Sequence, residues 1–197
     1  MMVETPHGPA RVHLHPAEDA RAALVLGHGA GGGVTAPDLV AATAAALAER
    51  ISVALVEQPY RVAGRRSPAP ARQLDAAWTA VVDHLASPLP LVVGGRSLGA
   101  RVACRTAAET GATAVLCLAF PLHPPGRPDK SRLAELEAVT VPVLVVQGER
   151  DPFGMPPAGQ SRTVVRVPGD HALKSDLAAV TEAVRAWLQK VASSLRS

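Results

Sequence analysis

The stretch that most constrains the fold is LVVGGRSLGARVAC, residues 91–104. Its apolar, β-branched start predicts a buried strand, and the helix-favouring residues after Gly99 predict a helix that begins at once. Ser97 stands between Gly95 and Gly99 at the turn that joins the two elements. A serine in such a turn is typical of a nucleophile elbow, in which a strained backbone exposes the hydroxyl and small glycines let neighbouring segments come close. The alternative is a glycine-rich turn that contains an incidental serine.

Strands and helices alternate along the rest of the chain. A half-exposed edge strand is predicted at 11–15, and continuous apolar runs typical of strands buried on both faces lie at 22–26, 53–57, 114–120 and 142–148. A further strand is predicted at 163–169, and helices at 38–50, 70–86, 131–139 and from about 175. This alternation predicts an α/β protein with a mostly parallel central sheet and helices on both faces. No repeat or linker divides the sequence, so we expect one domain over residues 1–197.

Three residues with catalytic chemistry each follow a predicted strand. They are Ser97, Asp151 and His171, and ligands of parallel sheets bind at the carboxyl ends of the strands. A serine nucleophile needs a histidine base and an acid that orients that base, and α/β-hydrolases carry them in the order Ser, Asp, His. Asp151 as a turn former and His171 as a helix cap are the alternatives, and other candidates for the two roles are weaker on position or reach: His28, His84, His123 and Glu149.

The glycine-rich stretch GHGAGGG, residues 27–33, follows another predicted strand. It fits the dinucleotide fingerprint G-x-G-x-x-G, with Glu57 as a possible ribose ligand. The next helix, however, begins only near Pro37, which removes a helix N-terminus from the position of a phosphate. We therefore favour a loop that supplies an oxyanion hole, with the backbone N–H groups of Ala30 and Leu98 as donors. A plain tight turn is the remaining alternative.

Composition restricts the partners. Aromatic residues make up only 3% of the chain, and the 20 basic residues that give a net charge of +3 are scattered, so we expect no nucleic-acid partner. We also expect no membrane partner, because no apolar run is long enough to span a bilayer and the polar start is not that of a signal peptide. The two cysteines lie in apolar stretches, which favours free thiols and a cytoplasmic location. The sequence indicates no metal and no cofactor, and it makes no prediction of oligomeric state.

Five motifs occur in a fixed order: HGAGGG, PYRVAGRRSP, GGRSLGAR, FPLHPPGRPDK and VQGERDPFG. With these motifs the chain resembles the small α/β-hydrolase family related to testis-expressed protein 30. Relatives of that family include the hydrolase-like region of NSL complex subunit 3 and, more distantly, dienelactone hydrolases. The resemblance spans about residues 22–190. It implies an α/β-hydrolase fold, a triad of Ser97, Asp151 and His171, and the HGAG loop as oxyanion contributor.

The resemblance and the residues together predict a serine hydrolase of the carboxylesterase or thioesterase type. Its substrate would be a small or accessible ester or thioester, because the short, proline-stiffened loop at 121–130 leaves no room for a large lid. Some relatives serve as parts of complexes, so a non-catalytic interaction module with the same fold is the alternative.

Arginines crowd the expected active edge: Arg61, Arg65, Arg66, Arg96 and Arg127. They either tie loops to carboxylates such as Glu57 or Asp129, or form an anion-binding rim for an acidic substrate. The candidates for substrate contact are His28, Gly29, Arg96 and His123.

Overall fold

The structure is a computed structural model that describes residues 1–194. Eight strands form one sheet in the order β1-β2-β4-β3-β5-β6-β7-β8. The strands are β1 (Met2–Val3), β2 (Ala10–His15), β3 (Ala22–Gly27), β4 (Ile51–Glu57), β5 (Leu91–Arg96), β6 (Ala114–Leu118), β7 (Val143–Gly148) and β8 (Arg162–Val167). The pairs β1–β2 and β2–β4 are antiparallel, and all the others are parallel.

Helices cover both faces of this sheet. They are α1 (Pro37–Ala48), α2 (Pro59–Val62), α3 (Ala71–His84), α4 (Leu98–Thr106), α5 (Leu133–Glu137) and α6 (Leu177–Ser194). Helices α1 and α6 pack against each other on one face, while α3, α4 and α5 lie on the other. This architecture confirms the predicted α/β-hydrolase fold without a large lid. None of the helices in residues 1–194 is both long enough and apolar enough to cross a lipid bilayer.

The continuous apolar runs became the central strands because each side chain finds a core on its own face of the sheet. Successive residues of a strand point to opposite faces. Leu116 in β6 therefore joins the core beneath α1 and α6, and its neighbour Val115 joins the core beneath α3 and α4. All six residues of β7 are buried as well. Because an apolar core packs on each face of the sheet, the carboxyl ends of the parallel strands have fixed positions along one edge.

Two short elements were not predicted. Strand β1 pairs beside β2 through only two residues, Met2 opposite Arg11 and Val3 opposite Ala10, so β2 is not the edge strand over its first residues. Helix α2 is a single turn inside the predicted loop after β4, begun by Pro59 at its first position. Elements of two and four residues are too short to show a period in the sequence.

Candidate active site

Ser97 occupies the sharp turn between β5 and α4. Its backbone has φ 51° and ψ −107°, a left-handed value that a residue with a side chain adopts at a cost. The crowding around the turn explains the flanking glycines: a Cβ at Gly95 would lie 2.5 Å from the carbonyl oxygen of Gly27, and a Cβ at Gly99 would overlap the same oxygen. The turn is fastened to the next strand, because the Ser97 N–H donates to the Leu118 carbonyl at 2.9 Å.

Ser97, His171 and Asp151 form one continuous chain of hydrogen bonds. The Nε2 atom of His171 lies 2.9 Å from Ser97 Oγ, and its Nδ1 lies 2.8 Å from Asp151 Oδ2. A carboxylate only accepts, so it holds the ring hydrogen on Nδ1 and leaves Nε2 free to accept the serine proton. The Asp151 side chain is 1% exposed and that of His171 is 18% exposed, so the imidazole is reachable from solvent and the carboxylate is not.

Asp151 is itself held by two further donors. The Phe153 N–H donates to Oδ1 at 2.8 Å, and Gln147 Nε2 donates to Oδ2 at 2.9 Å. Gln147 is fully buried at the end of β7, and its Nε2 also lies 3.0 Å from the Phe120 carbonyl and 2.8 Å from the Gly154 carbonyl. Gln147 was not among the residues predicted for the site. Its signal was a lone amide in the apolar run VLVVQG directly before the acid loop.

The loop that carries His171 is anchored on both sides of the ring. The Phe153 ring stacks on the imidazole with centroids 4.1 Å apart and planes inclined at 30°. Leu173, two residues further on, is fully buried and has a positive φ of 51°, so the loop turns sharply to insert this side chain into the core. The imidazole is therefore fixed by packing as well as by its two hydrogen bonds.

The loop after β3 approaches Ser97 closely. A Cβ at Gly29 would lie 3.7 Å from Ser97 Cβ, and the Ala30 carbonyl accepts a hydrogen bond of 2.7 Å from the Tyr60 hydroxyl. Burial raises the pKa of Tyr60 to about 12, so its hydroxyl remains a donor. Within residues 1–194, the backbone N–H groups of Ala30 and Leu98 have no acceptor. Unpaired donors next to a serine hydroxyl are what an oxyanion hole requires.

His28 differs from the expectation that it contacts substrate. Its ring is buried, its Nε2 accepts the Gln58 N–H at 3.1 Å, and its Nδ1 lies 2.7 Å from the Gly29 carbonyl oxygen. Burial lowers the pKa of His28, in keeping with a neutral ring that donates from Nδ1 and accepts at Nε2. Both nitrogens are therefore used within the protein, and His28 ties the loop after β3 to the start of α2.

The arginines of the active edge divide into two groups. Arg96 pairs with Asp38 at 2.9 Å and Arg127 pairs with Asp129 at 3.2 Å, which favours the interpretation that these two tie loops to carboxylates. Glu57 pairs with Arg11 rather than with an arginine of this edge. In the part of the chain that the structure describes, no carboxylate pairs with the remaining three, which are Arg61, Arg65 and Arg66.

His123 keeps one ring nitrogen available. Its backbone N–H donates to the carbonyl of Phe153 at 3.0 Å, which ties His123 to the backbone of the residue whose ring stacks on His171. Its Nδ1 lies 2.9 Å from the Pro124 carbonyl oxygen, which holds the ring hydrogen there and leaves Nε2 as an acceptor. Across residues 1–194, no three His, Cys, Asp or Glu side chains cluster as ligands for a metal ion.

Comparisons with known proteins agree with this architecture. The structure of Est1E from Butyrivibrio proteoclasticus superposes with a TM-score of 0.80, 16% identity and 98% coverage of each chain. A serine hydrolase without a lid from Xanthomonas campestris gives a TM-score of 0.74 and 23% identity over 95% of this chain and 93% of that one. Dienelactone hydrolase from Anabaena variabilis gives 0.74 and 19% identity over 96% and 95%.

At these identities the likeness shows the fold alone. No curated protein sequence matches the chain. A family model described as the alpha/beta hydrolase domain does match, and it covers residues 20–194. The chain therefore belongs to the α/β-hydrolase domain family.

Proposed function

We propose that the chain is a serine hydrolase that cleaves an ester or thioester of a small or accessible substrate. The observation that carries this proposal is the unbroken contact from Asp151 through His171 to Ser97 at a strained strand-to-helix turn. A serine hydroxyl is a weak nucleophile unless a positioned base removes its proton. The hydrogen bonds and the backbone strain act on the same hydroxyl, which favours catalysis over a purely structural turn.

The proposed reaction proceeds in two halves. Ser97 Oγ attacks the substrate carbonyl carbon while its proton passes to His171 Nε2. The resulting oxyanion accepts hydrogen bonds from the backbone N–H groups of Ala30 and Leu98. The intermediate then collapses: the bond to the alcohol or thiol breaks, and the leaving group takes the proton from His171. In the second half a water molecule gives a proton to His171 Nε2 and attacks the acyl carbon, the bond from that carbon to Ser97 Oγ breaks, and His171 returns the proton to Oγ, which releases the acid and free Ser97. These groups suffice without a metal or cofactor.

The surroundings of the site support an accessible substrate. The loop at 121–130 is short and is fastened near the site, since the His123 N–H donates to the Phe153 carbonyl. His123 is also the substrate-contact candidate that we retain, because its Nε2 is not used by another group in residues 1–194. We further propose the relation to the testis-expressed protein 30 family, and a cytoplasmic location. The second of these is supported by the buried thiols of Cys104 and Cys117, which are free.

Hydrolysis of p-nitrophenyl acetate and butyrate tests the proposal. We expect wild-type protein to release p-nitrophenol and Ser97→Ala to lose this activity while its unfolding midpoint stays close to wild type, because the hydroxyl lies at a turn rather than in a core. Ser131→Ala is the matched control, since Ser131 is an exposed serine far along the chain. Equal hydrolysis by wild type and Ser97→Ala would contradict the proposal, and no hydrolysis by either protein would favour the non-catalytic interaction module.

A further inference from the structure

Arg96, the residue before Ser97, lies at the junction of three loops. Its Nε is 2.9 Å from Asp38 Oδ2 at the start of α1, and its Nη2 donates to the backbone carbonyl of His171 at 2.9 Å. Its Nη1 lies beside Gly29 in the loop after β3: a Cβ at that position would be 2.9 Å from this nitrogen. One guanidinium thus contacts the segments that carry the base and the oxyanion loop, and its own backbone leads into Ser97.

The contact with His171 matters because of the order of the strands. His171 follows β8, which is separated from β5 by β6 and β7, so its loop must reach across two strands to meet Ser97. The stacking of Phe153 fixes the plane of the imidazole. The Arg96 hydrogen bond is the contact that joins the backbone of His171 directly to the strand that leads into the nucleophile.

Asp38 holds the guanidinium in place. This carboxyl group is fully buried, and its Oδ1 accepts the N–H of Leu39 at 2.9 Å. Arg96 Nε approaches Oδ2 as an ion pair, although its N–H does not point at that oxygen well enough for a hydrogen bond. Burial raises the pKa of Asp38, and the positive charge of Arg96 opposes that rise. Arg96 therefore favours the ionised form of Asp38, and the ionised carboxylate in turn attracts the guanidinium.

We propose that Arg96 is a positioning residue, which holds the His171 backbone at the distance from Ser97 that proton transfer needs. This inference rests on the proposed hydrolase function. The guanidinium is only 19% exposed, and two of its three nitrogens are engaged by Asp38 and His171. Arg96 therefore acts through His171 and not on the substrate. This positioning role replaces the role in substrate contact that the sequence predicted for Arg96.

The test compares Arg96→Met with Arg101→Met on a neutral ester and on an ester that carries a carboxylate. Arg101 is the matched control: its side chain is 22% exposed and pairs with Glu135 at 2.7 Å. Its backbone N–H donates to the Ser97 carbonyl at 3.2 Å, and the substitution leaves that bond in place. Displacing a catalytic group by about 1 Å costs about 100-fold in rate. We expect Arg96→Met to lower kcat by about 10- to 100-fold on both esters with KM within about threefold, and Arg101→Met to leave kcat within about twofold.

A conservative variant separates the ion pair from the contact with His171. Lysine retains the charge opposite Asp38, but its single ammonium group lacks the fork that reaches both partners. Arg96→Lys should therefore regain the thermal stability lost in Arg96→Met and regain little of the lost kcat. Full recovery of kcat in Arg96→Lys would show that only the charge matters, and would overturn the positioning role.

Other outcomes identify which idea has failed. A rise in KM restricted to the carboxylate ester would make Arg96 a substrate contact and overturn the inference. Unchanged kcat in Arg96→Met, beside Ser97-dependent turnover in wild type, would overturn the positioning role alone. Wild-type protein without Ser97-dependent turnover would overturn the proposed function, and this inference with it.

Discussion

Gln147 offers a sharp test of how the acid of the site is held. Methionine has nearly the same length and volume, so Gln147→Met removes the amide and preserves the packing. The change deprives Asp151 Oδ2 and the carbonyls of Phe120 and Gly154 of a donor. A buried acceptor left unpaired costs about 1–3 kcal/mol.

The net effect on stability can be worked out from the same contacts. Asp151 Oδ2 keeps its hydrogen bond to His171, so the acceptors left without a donor are the carbonyls of Phe120 and Gly154. These two carbonyls share the second hydrogen of the Gln147 NH₂ group, because the first is directed to Asp151. The amide oxygen of Gln147 is buried without a partner, and removing it relieves part of the cost. We therefore expect Gln147→Met to lower the free energy of unfolding by about 1–3 kcal/mol.

Asp151 keeps the Phe153 N–H on its other oxygen, so we expect kcat to fall by about tenfold rather than to vanish. Urea unfolding and steady-state hydrolysis of a p-nitrophenyl ester measure the two effects. Gln189→Met is the control, because Gln189 lies on α6 and its amide donates to Glu49, the residue after α1, at 2.8 Å and not to a residue of the site. A Gln147→Met protein with wild-type stability, or one that loses no more kcat than Gln189→Met, would show that the Gln147 amide does not hold Asp151.

Three further predictions follow from single contacts. Gly99→Ala should abolish ester hydrolysis, because the new Cβ overlaps the Gly27 carbonyl and must displace the elbow; activity near wild type in a folded variant would contradict this. Tyr60→Phe should lower kcat by about tenfold, because the Ala30 carbonyl loses the hydroxyl that fastens this residue beside Ser97, and an unchanged kcat would show that the Tyr60 hydroxyl is not needed to hold the loop. Burial lowers the pKa of His28, so as the pH falls this histidine is protonated in the unfolded chain before it is protonated in the folded chain. The free energy of unfolding, measured in urea at pH 7 and pH 5, should therefore decrease below about pH 6.5, and it should decrease less in His28→Gln. An equal decrease in the two proteins would contradict this.

The sequence was most informative about features that a single continuous segment determines, such as a strand or the residue that follows it. Continuous apolar runs identified the parallel strands, because a strand buried on both faces needs apolar side chains at every position. Asp151 and His171 were predicted because each follows a predicted strand, and the structure places His171 in contact with Ser97 and Asp151 in contact with His171. The fold and the three hydrogen-bonded residues Ser97, His171 and Asp151 could be predicted from the sequence in this way.

The supporting contacts were not readable, because each depends on partners distant in the chain. Asp38 lies in the first turn of α1, and only the fold shows that it pairs with Arg96. His28 looked like a ligand-facing residue of a glycine loop, yet its ring is enclosed by the start of α2, a helix too short to be predicted. Positions of this kind are decided by tertiary contacts, which composition and periodicity do not record.

The central claim is that Ser97 is an activated nucleophile. Incubating purified protein with a fluorophosphonate probe and mapping the adduct by peptide mass spectrometry tests this directly, because the probe forms a stable covalent bond only with a hydroxyl that a base has activated. We expect one adduct per chain, on Ser97, and its loss in His171→Gln. An adduct on another residue, or none under conditions that label a known serine esterase, would contradict it.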